Sequence, residues 1–228
     1  MGYKITIDGP SGSGKGFIAS EISKRLNLLN IDTGAMYRAF GLYCIENGID
    51  LENEEQVEFA LNNTKITFKP DLDVLRIYLN DEDVSGRIRT EQVGMLASKV
   101  SAIPVVRKYM VEKQREIAGE NNVIMEGRDI GSVVFPNAEL KIFLTASKEI
   151  RATRRLNDLL NKGMKVTYEE VLEDITKRDE SDINKKISPL IKTDDMIELD
   201  TTLLSKEQVI NEVLRLVVKK GLVDFKDV

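Results

Sequence analysis

With 228 residues, 42% hydrophobic and 31% charged, the chain can bury a full core and reads as a globular protein in water. Its 33 Lys and Arg against 38 Asp and Glu give a net charge of −5, which argues against non-specific nucleic-acid binding but leaves room for a local arginine cluster. A single cysteine (Cys44) and no histidine exclude an internal disulfide and a Cys/His zinc site, no apolar run is long enough to span a membrane, and without a signal-peptide pattern the reducing cytoplasm is the expected setting.

Tyr3 to Ile7 predicts a short buried strand. Gly9-Pro10-Ser11-Gly12-Ser13-Gly14-Lys15-Gly16 follows, and Ile18, Ala19, Ile22 and Leu26 then recur at helical spacing. Strand, glycine loop with lysine, helix is the context of a phosphate-binding loop. Its glycines let several N–H groups point inward at oxygen anions, and the helix start adds partial positive charge. Lys15 supplies a full charge for the β- and γ-phosphates of a nucleotide, and is expected to be a solvent-facing loop cation. The more usual loop ends Gly-Lys-Ser/Thr; here Gly16 and Phe17 follow, so the hydroxyl that commonly reaches the metal is missing. The Gly-Lys-Gly variant resembles the loop of nucleoside monophosphate kinases.

Four further buried strands are predicted at Leu28 to Ile31, Val123 to Met125, Leu140 to Leu144 and Met196 to Leu199, with helical patterns between them. Ile31-Asp32-Thr33-Gly34-Ala35-Met36-Tyr37-Arg38 closes the second strand with charge at its C-terminal end, the ligand-binding edge of open α/β sheets. Asp32 or Thr33 can cap the next helix; Arg38 lies about a turn into it. In Leu42-Tyr43-Cys44-Ile45 the thiol reads as packing. Asn53 with Gln56, Thr167 with Glu170 and Ser205 with Gln208 resemble capping boxes. Lys65 to Phe68 and Val74 to Leu79 alternate like exposed antiparallel strands, with Asn80-Asp81-Glu82-Asp83 as a turn, before a helix over Gln92 to Ala102. Pro104 starts a helix that Gly119 closes, and Val209, Ile210, Val213, Leu214 and Val217 line one that ends at Lys219-Lys220-Gly221.

Met125-Glu126-Gly127-Arg128-Asp129-Ile130-Gly131 again sets charges after a buried strand. Arg128 suits an anion and Asp129 a cation or amine; the two could equally pair with each other. Arg151, Arg154 and Arg155 open a helix, and Lys177 to Leu190 carries a second group of charges. A helix-loop-helix with cations at both ends is what a lid over a phosphate loop needs, because phosphoryl transfer spreads negative charge over the moving group. Two solvated helices with ordinary charge pairs would read the same way.

Taken together, Ile5 to Gly16, Asp32 to Arg38, Asp83 to Thr90, Ala97 to Arg107, Gly127 to Pro136 and Arg178 to Leu190 resemble the bacterial cytidylate kinases in order and over nearly the whole length. The resemblance implies an α/β fold: a five-stranded parallel sheet with helices on both faces (a P-loop kinase), one domain over 1–228, with a small β-containing monophosphate-binding insert at 33–98 and a short helical lid at 155–185. It implies that Gly9, Pro10, Ser11, Gly12, Ser13, Gly14, Lys15, Gly16 and Phe17 hold ATP and that Lys15, Arg154 and Arg178 are catalytic. It places Thr33, Arg38 and Arg128 at the CMP phosphate, Ser98, Arg107 and Asp129 at the cytosine, and Arg178 and Asp182 near the pentose or the transferring phosphates. A family arginine falls at Lys185, which keeps the charge but lacks the bidentate fork. Mg²⁺ is expected to arrive with ATP, with no protein metal ligand assigned. The expected partners are ATP and CMP or dCMP, without nucleic acid or membrane, and the expected state is a monomer. Two alternatives remain: another small-molecule P-loop kinase, and a GTPase-type switch. For the second, Asn161-Lys162-Gly163-Met164 and Asn184-Lys185-Lys186-Ile187 both lack the aspartate that reads guanine.

Overall fold

The computed structural model describes residues 2–71 and 74–224. In chain order its elements are β1 (Lys4–Asp8), α1 (Lys15–Leu26), β2 (Leu29–Asp32), α2 (Thr33–Glu46) and α3 (Glu54–Asn62). Next come β3 (Ile66–Asp71), β4 (Val74–Leu79), β5 (Glu82–Asp83), a 3-10 turn at Arg87–Arg89, α4 (Glu91–Val100) and α5 (Pro104–Ala118). The chain continues through β6 (Val123–Gly127), a π-helical turn at Ile130–Val134, β7 (Leu140–Thr145), α6 (Lys148–Asn161), α7 (Tyr168–Ile183), β8 (Ile197–Asp200) and α8 (Lys206–Lys219). These form two compact units, Met1–Ile31 with Glu120–Val228, and Asp32–Gly119.

The first unit is built on a five-stranded parallel sheet, ordered β2-β6-β1-β7-β8 and flanked by helices. Ile5, Thr6 and Ile7 of the central strand are all fully buried, as a strand covered on both faces requires. Ile5, Ile7, Ile124, Leu140, Ile142 and Leu144 pack with Ile18, Ala19 and Ile22 of α1 and with Val209, Ile210, Val213, Leu214 and Val217 of α8. Each predicted strand is present, but its C-terminal end runs further than its apolar run. Asp8 pairs with Gly127 and Thr145 with Asp200, because ladder hydrogen bonds continue where apolar side chains stop. Thr167 with Glu170 and Ser205 with Gln208 form reciprocal capping boxes at the starts of α7 and α8, and Gly221 follows α8 at φ 67°. A smaller apolar cluster, Ala152, Val171 and Ile175 with Leu156, Leu159 and Leu172 around it, glues α6 to α7.

In the second unit α2 is buried along most of its length, with Met36, Ala39, Phe40, Leu42 and Cys44 in the core. Burial pushes the Cys44 thiol up to about 12, so the residue packs and does not react. The hairpin is less exposed than its alternation suggests: Ile77 and Leu79 are buried. Asn80 and Asp81, at φ 48° and 68°, complete the turn in two residues. Glu82 and Asp83, read as turn in the sequence, therefore pair with Leu79 and Tyr78 as a third strand. Asn53 does cap α3, accepting from Gln56 N at 3.1 Å, but Gln56 Oε1 turns to Asp50 N at 2.9 Å, so no reciprocal box closes there. Thr90 caps α4, which ends at Val100, two residues short of the predicted helix end.

Candidate active site

The loop between β1 and α1 is shaped by close approach. Gly9 sits at φ 151°, where a Cβ would lie 2.0 Å from the Leu144 carbonyl oxygen, so no side chain fits. Lys15, the first residue of α1, corrects the expectation of a solvent-facing cation: it is only 5% exposed. The loop wraps the ammonium, and Nζ donates to Pro10 O at 2.8 Å and to Ser13 Oγ at 3.3 Å. Burial first, and then the Arg128 charge, pull it below the ordinary lysine range to about 7, against Glu126, Asp8 and Asp182. Its direct partners are neutral oxygens, so an arriving polyanion offers it what the loop does not. Phe17 is 42% exposed, with Lys206 Nζ 4.7 Å from its ring centre, so this position carries an aromatic–cation contact in place of a hydroxyl.

The Gly127 to Gly131 motif is fixed to β1 by a residue to which the sequence assigned no role. Asp8 is fully buried and accepts from Ile130 N at 2.8 Å and Gly131 N at 2.7 Å. Burial pushes its carboxyl above the ordinary carboxylate range, while those two N–H groups and the charges of Lys15 and Arg128 act against that rise. Gly131 is obligatory, since a Cβ would stand 2.7 Å from Thr6 Oγ1. From the next strand the buried Lys141 donates to Gly131 O at 3.2 Å and Pro136 O at 2.9 Å and pairs with Asp195. Arg128, so positioned, pairs with Asp182: Nε meets Asp182 Oδ2 at 2.7 Å. Lys185 Nζ takes the other oxygen at 3.1 Å. Burial works against the Asp182 charge, but Arg128 and then Lys185 outweigh it and hold the carboxyl below its ordinary range. Asp129 is buried just before the π-helical turn, and the Glu126 carboxylate stands beside Gly16.

The arginines of α6 divide by role. Arg151, buried, donates to Ser11 O of the glycine loop at 2.9 Å, to Ala146 O at 3.0 Å, and bidentately to Asp179 of α7. Arg154 donates to Thr201 Oγ1 at 3.0 Å and Thr201 O at 2.8 Å, with Ser13 O at 3.5 Å. Arg178 is exposed on α7. Lys15, Arg128, Asp182 and Lys185 are thus brought into one electrostatic group, and Arg154 reaches the same loop through Ser13. Arg151 and Asp179 were missed as a pair because nothing local marks two residues 28 apart.

Thr33, Arg38, Ser98 and Arg107 belong to the second unit. Asp32 caps α2, accepting from Ala35 N at 2.9 Å, and its other oxygen holds Arg38 Nη2 at 2.7 Å. Thr33 is buried in the first turn. Ser98, half-buried on α4, accepts the Ser101 hydroxyl at its carbonyl at 2.8 Å. Arg107 is buried on α5 with its guanidinium over the Tyr37 ring.

The sequence model of the family described as cytidylate kinase matches residues 5–219. Among similar proteins, the cytidylate kinase of Carboxydothermus hydrogenoformans is 48% identical over 218 residues, covering 96% of this chain and 98% of that protein. That of Fusobacterium nucleatum is 48% identical over 215 residues, covering 94% and 97%. In three dimensions the chain is similar to an uncharacterized protein from Eubacterium ventriosum, with a TM-score of 0.52 at 13% identity over 96% of this chain and 99% of that one, a likeness of fold alone. With a glycine loop closed on a buried lysine, a family match over nearly the whole length and relatives at 48% identity, the chain belongs to the cytidylate kinase family.

Proposed function

We propose that the chain transfers the γ-phosphoryl group of MgATP to CMP and dCMP, with UMP a poorer acceptor. The phosphoryl chemistry rests on one observation, the Lys15 ammonium buried in its glycine loop against neutral oxygens. The acceptor rests on the family. In this reading 33–98 is the acceptor-binding insert and 155–185 the lid of a single working domain, active as a monomer in the cytoplasm without nucleic acid or membrane. Gly9 to Phe17 holds the ATP phosphates. Thr33, Arg38 and Arg128 hold the CMP phosphate. Ser98, Arg107 and Asp129 read the cytosine, whose exocyclic amine needs acceptors that a carbonyl in its place would leave unpaired.

An oxygen of the CMP phosphate attacks the γ-phosphorus in line as the bond to the β,γ-bridging oxygen breaks, giving CDP and ADP. The acceptor is already anionic, so no general base is required. Lys15 turns from Pro10 O and Ser13 Oγ to the phosphates, and Arg178 and Lys185 meet the charge that spreads over the transferring group. Arg128 exchanges its hold on Asp182 for the acceptor phosphate, while Arg154, anchored on Thr201 with Ser13 O at 3.5 Å, adds its charge to that of Lys15 and Arg178 at the transferring group. Mg²⁺ arrives as part of the substrate and neutralises β- and γ-phosphate charge. Such an ion takes few protein ligands, and no residue of the chain is assigned to it. A coupled ADP-release assay with MgATP over CMP, dCMP, UMP and AMP tests the reading. CMP and dCMP should lead; equal turnover of CMP and AMP overturns it.

A further inference from the structure

Three polar side chains are buried together in the second unit. Arg107 and Tyr37 are each 8% exposed and Gln114 is 1% exposed. The Arg107 Cζ lies 5.6 Å from the centre of the Tyr37 ring, within cation–π range. Gln114 follows Arg107 by two turns on the same face of α5, and Tyr37 comes across from α2. Burial pushes the Tyr37 hydroxyl above the ordinary tyrosine range, while the Arg107 charge, then the Gln114 and Arg107 side chains, act against that rise. Yet neither the Tyr37 hydroxyl nor Gln114 Nε2 completes a hydrogen bond of standard geometry within the described residues. Joining two helices needs none of this: a pair of leucines would do it without desolvating polar groups. The ring face fixes the plane of the guanidinium that lies over it.

We infer that Tyr37 and Gln114 are positioning residues that set the Arg107 guanidinium for the acceptor base. This rests on the reading above that Arg107 contacts that base. The ring holds the cation's plane, and the glutamine amide backs the hydroxyl end of the same ring. Loss of the ring frees the arginine to other rotamers, and acceptor binding weakens without loss of chemistry at the phosphates.

Steady-state kinetics of Tyr37→Leu, Tyr37→Phe, Gln114→Met, Arg107→Met and the Arg107→Met/Tyr37→Leu double variant, each with its thermal midpoint, test this. Tyr37→Leu should raise KM for CMP about tenfold while kcat and KM for ATP stay within about twofold. Tyr37→Phe, which keeps the ring, should stay within about threefold of wild type, and Gln114→Met should raise KM for CMP roughly threefold. The double variant should be no worse than Arg107→Met alone, because Tyr37 acts through the arginine. Should Tyr37→Leu fail to fold, Gln114→Met and Tyr37→Phe carry the test. If Arg107→Met raises KM for CMP but neither Tyr37→Leu nor Gln114→Met does, or if the two losses multiply, the positioning role is wrong and the base reading survives. If Arg107→Met itself leaves KM for CMP and the CMP-to-UMP ratio unchanged, the base reading is wrong and the positioning role goes with it.

Discussion

Arg151 and Asp179 form a bidentate ion pair, Nη1 to Oδ1 at 3.1 Å and Nη2 to Oδ2 at 2.7 Å, that joins α6 to α7. The same guanidinium holds Ser11 O at 2.9 Å, so the helix pair and the glycine loop share one cation. The two side chains are 6% and 12% exposed, which takes this pair out of the class of surface salt bridges that contribute little.

Breaking such a pair from one side leaves a buried charge without its partner, and that typically costs about 3–5 kcal/mol. Arg151→Met should therefore lower the thermal midpoint by roughly 6–20 °C, at about 2–4 °C per kcal/mol for a chain of this size. It should also raise KM for ATP, since the loop loses the donor at Ser11. Differential scanning calorimetry reads the first effect and steady-state kinetics the second. A midpoint within about 2 °C of wild type would show the pair to be dispensable.

Lys15 gives two separable predictions. Lys15→Met should nearly abolish phosphoryl transfer, since it removes the loop's cation. Its effect on stability has a defined sign. The folded lysine, at about 7, sits below its unfolded value of 10.5. Below about pH 7 it is charged in both states, and the fold carries the whole penalty of burying that charge. Between about 7 and 10.5 the folded state gives up the proton first, so wild-type stability rises with pH through that window. Lys15→Met lacks this dependence. Its midpoint relative to wild type should be most favourable below pH 7 and decline toward pH 10. A difference that is flat across that range excludes a depressed lysine.

Much of this was legible because it is local. The glycine loop lies within eight residues of sequence, and the strand runs and the α8 stripe follow fixed periods that one chain segment carries by itself. The turn at Asn80-Asp81 is local too: the left-handed tolerance of Asn and Asp closes it in two residues and leaves Glu82 and Asp83 to pair as a strand. The Arg128–Asp182 contact is of another kind. It spans 54 residues and exists only because β6 and the end of α7 meet, so Arg128 could as well have paired with its neighbour Asp129. Lys15 was misplaced for a related reason: its burial comes from the Pro10 carbonyl curling back over it, a backbone path that residue types alone do not specify.

Asp182 sets an acid limb. Its folded value lies below the ordinary 3.8, because Arg128 and Lys185 outweigh the burial that opposes its charge. The stabilisation is present above about pH 4 and is lost as pH falls through the lower folded value. Asp182→Asn abolishes it and leaves two cations facing each other, a loss of roughly 2–4 kcal/mol at neutral pH. Urea denaturation at pH 7, 5 and 3 should show the gap between wild type and Asp182→Asn steady from 7 to 5 and narrowing at 3. A gap that widens on acidification contradicts the pairing.

Lys185 occupies a position where the family resemblance implies an arginine, and the structure shows what the lysine does instead. Its Nζ holds Asp182 Oδ1 at 3.1 Å, while Asp182 Oδ2 takes Arg128. An ammonium on that carboxylate can turn only its remaining protons elsewhere. A guanidinium can keep one edge on Asp182 and present a second N–H to a phosphate, the geometry that makes arginine the better bidentate donor. Lys185→Arg should thus raise acceptor kcat/KM by roughly three- to tenfold, at most about 1.4 kcal/mol, because the lysine already supplies the charge. The gain should be equal with CMP and dCMP, since the contact is to phosphate and not to sugar or base. ATP affinity measured without acceptor should not change. Lys185→Ala should move the other way, lowering acceptor kcat/KM and leaving Asp182 to Arg128 alone. Measured side by side, two variants that both match wild type would remove Lys185 from the substrate site and leave it a structural partner of Asp182.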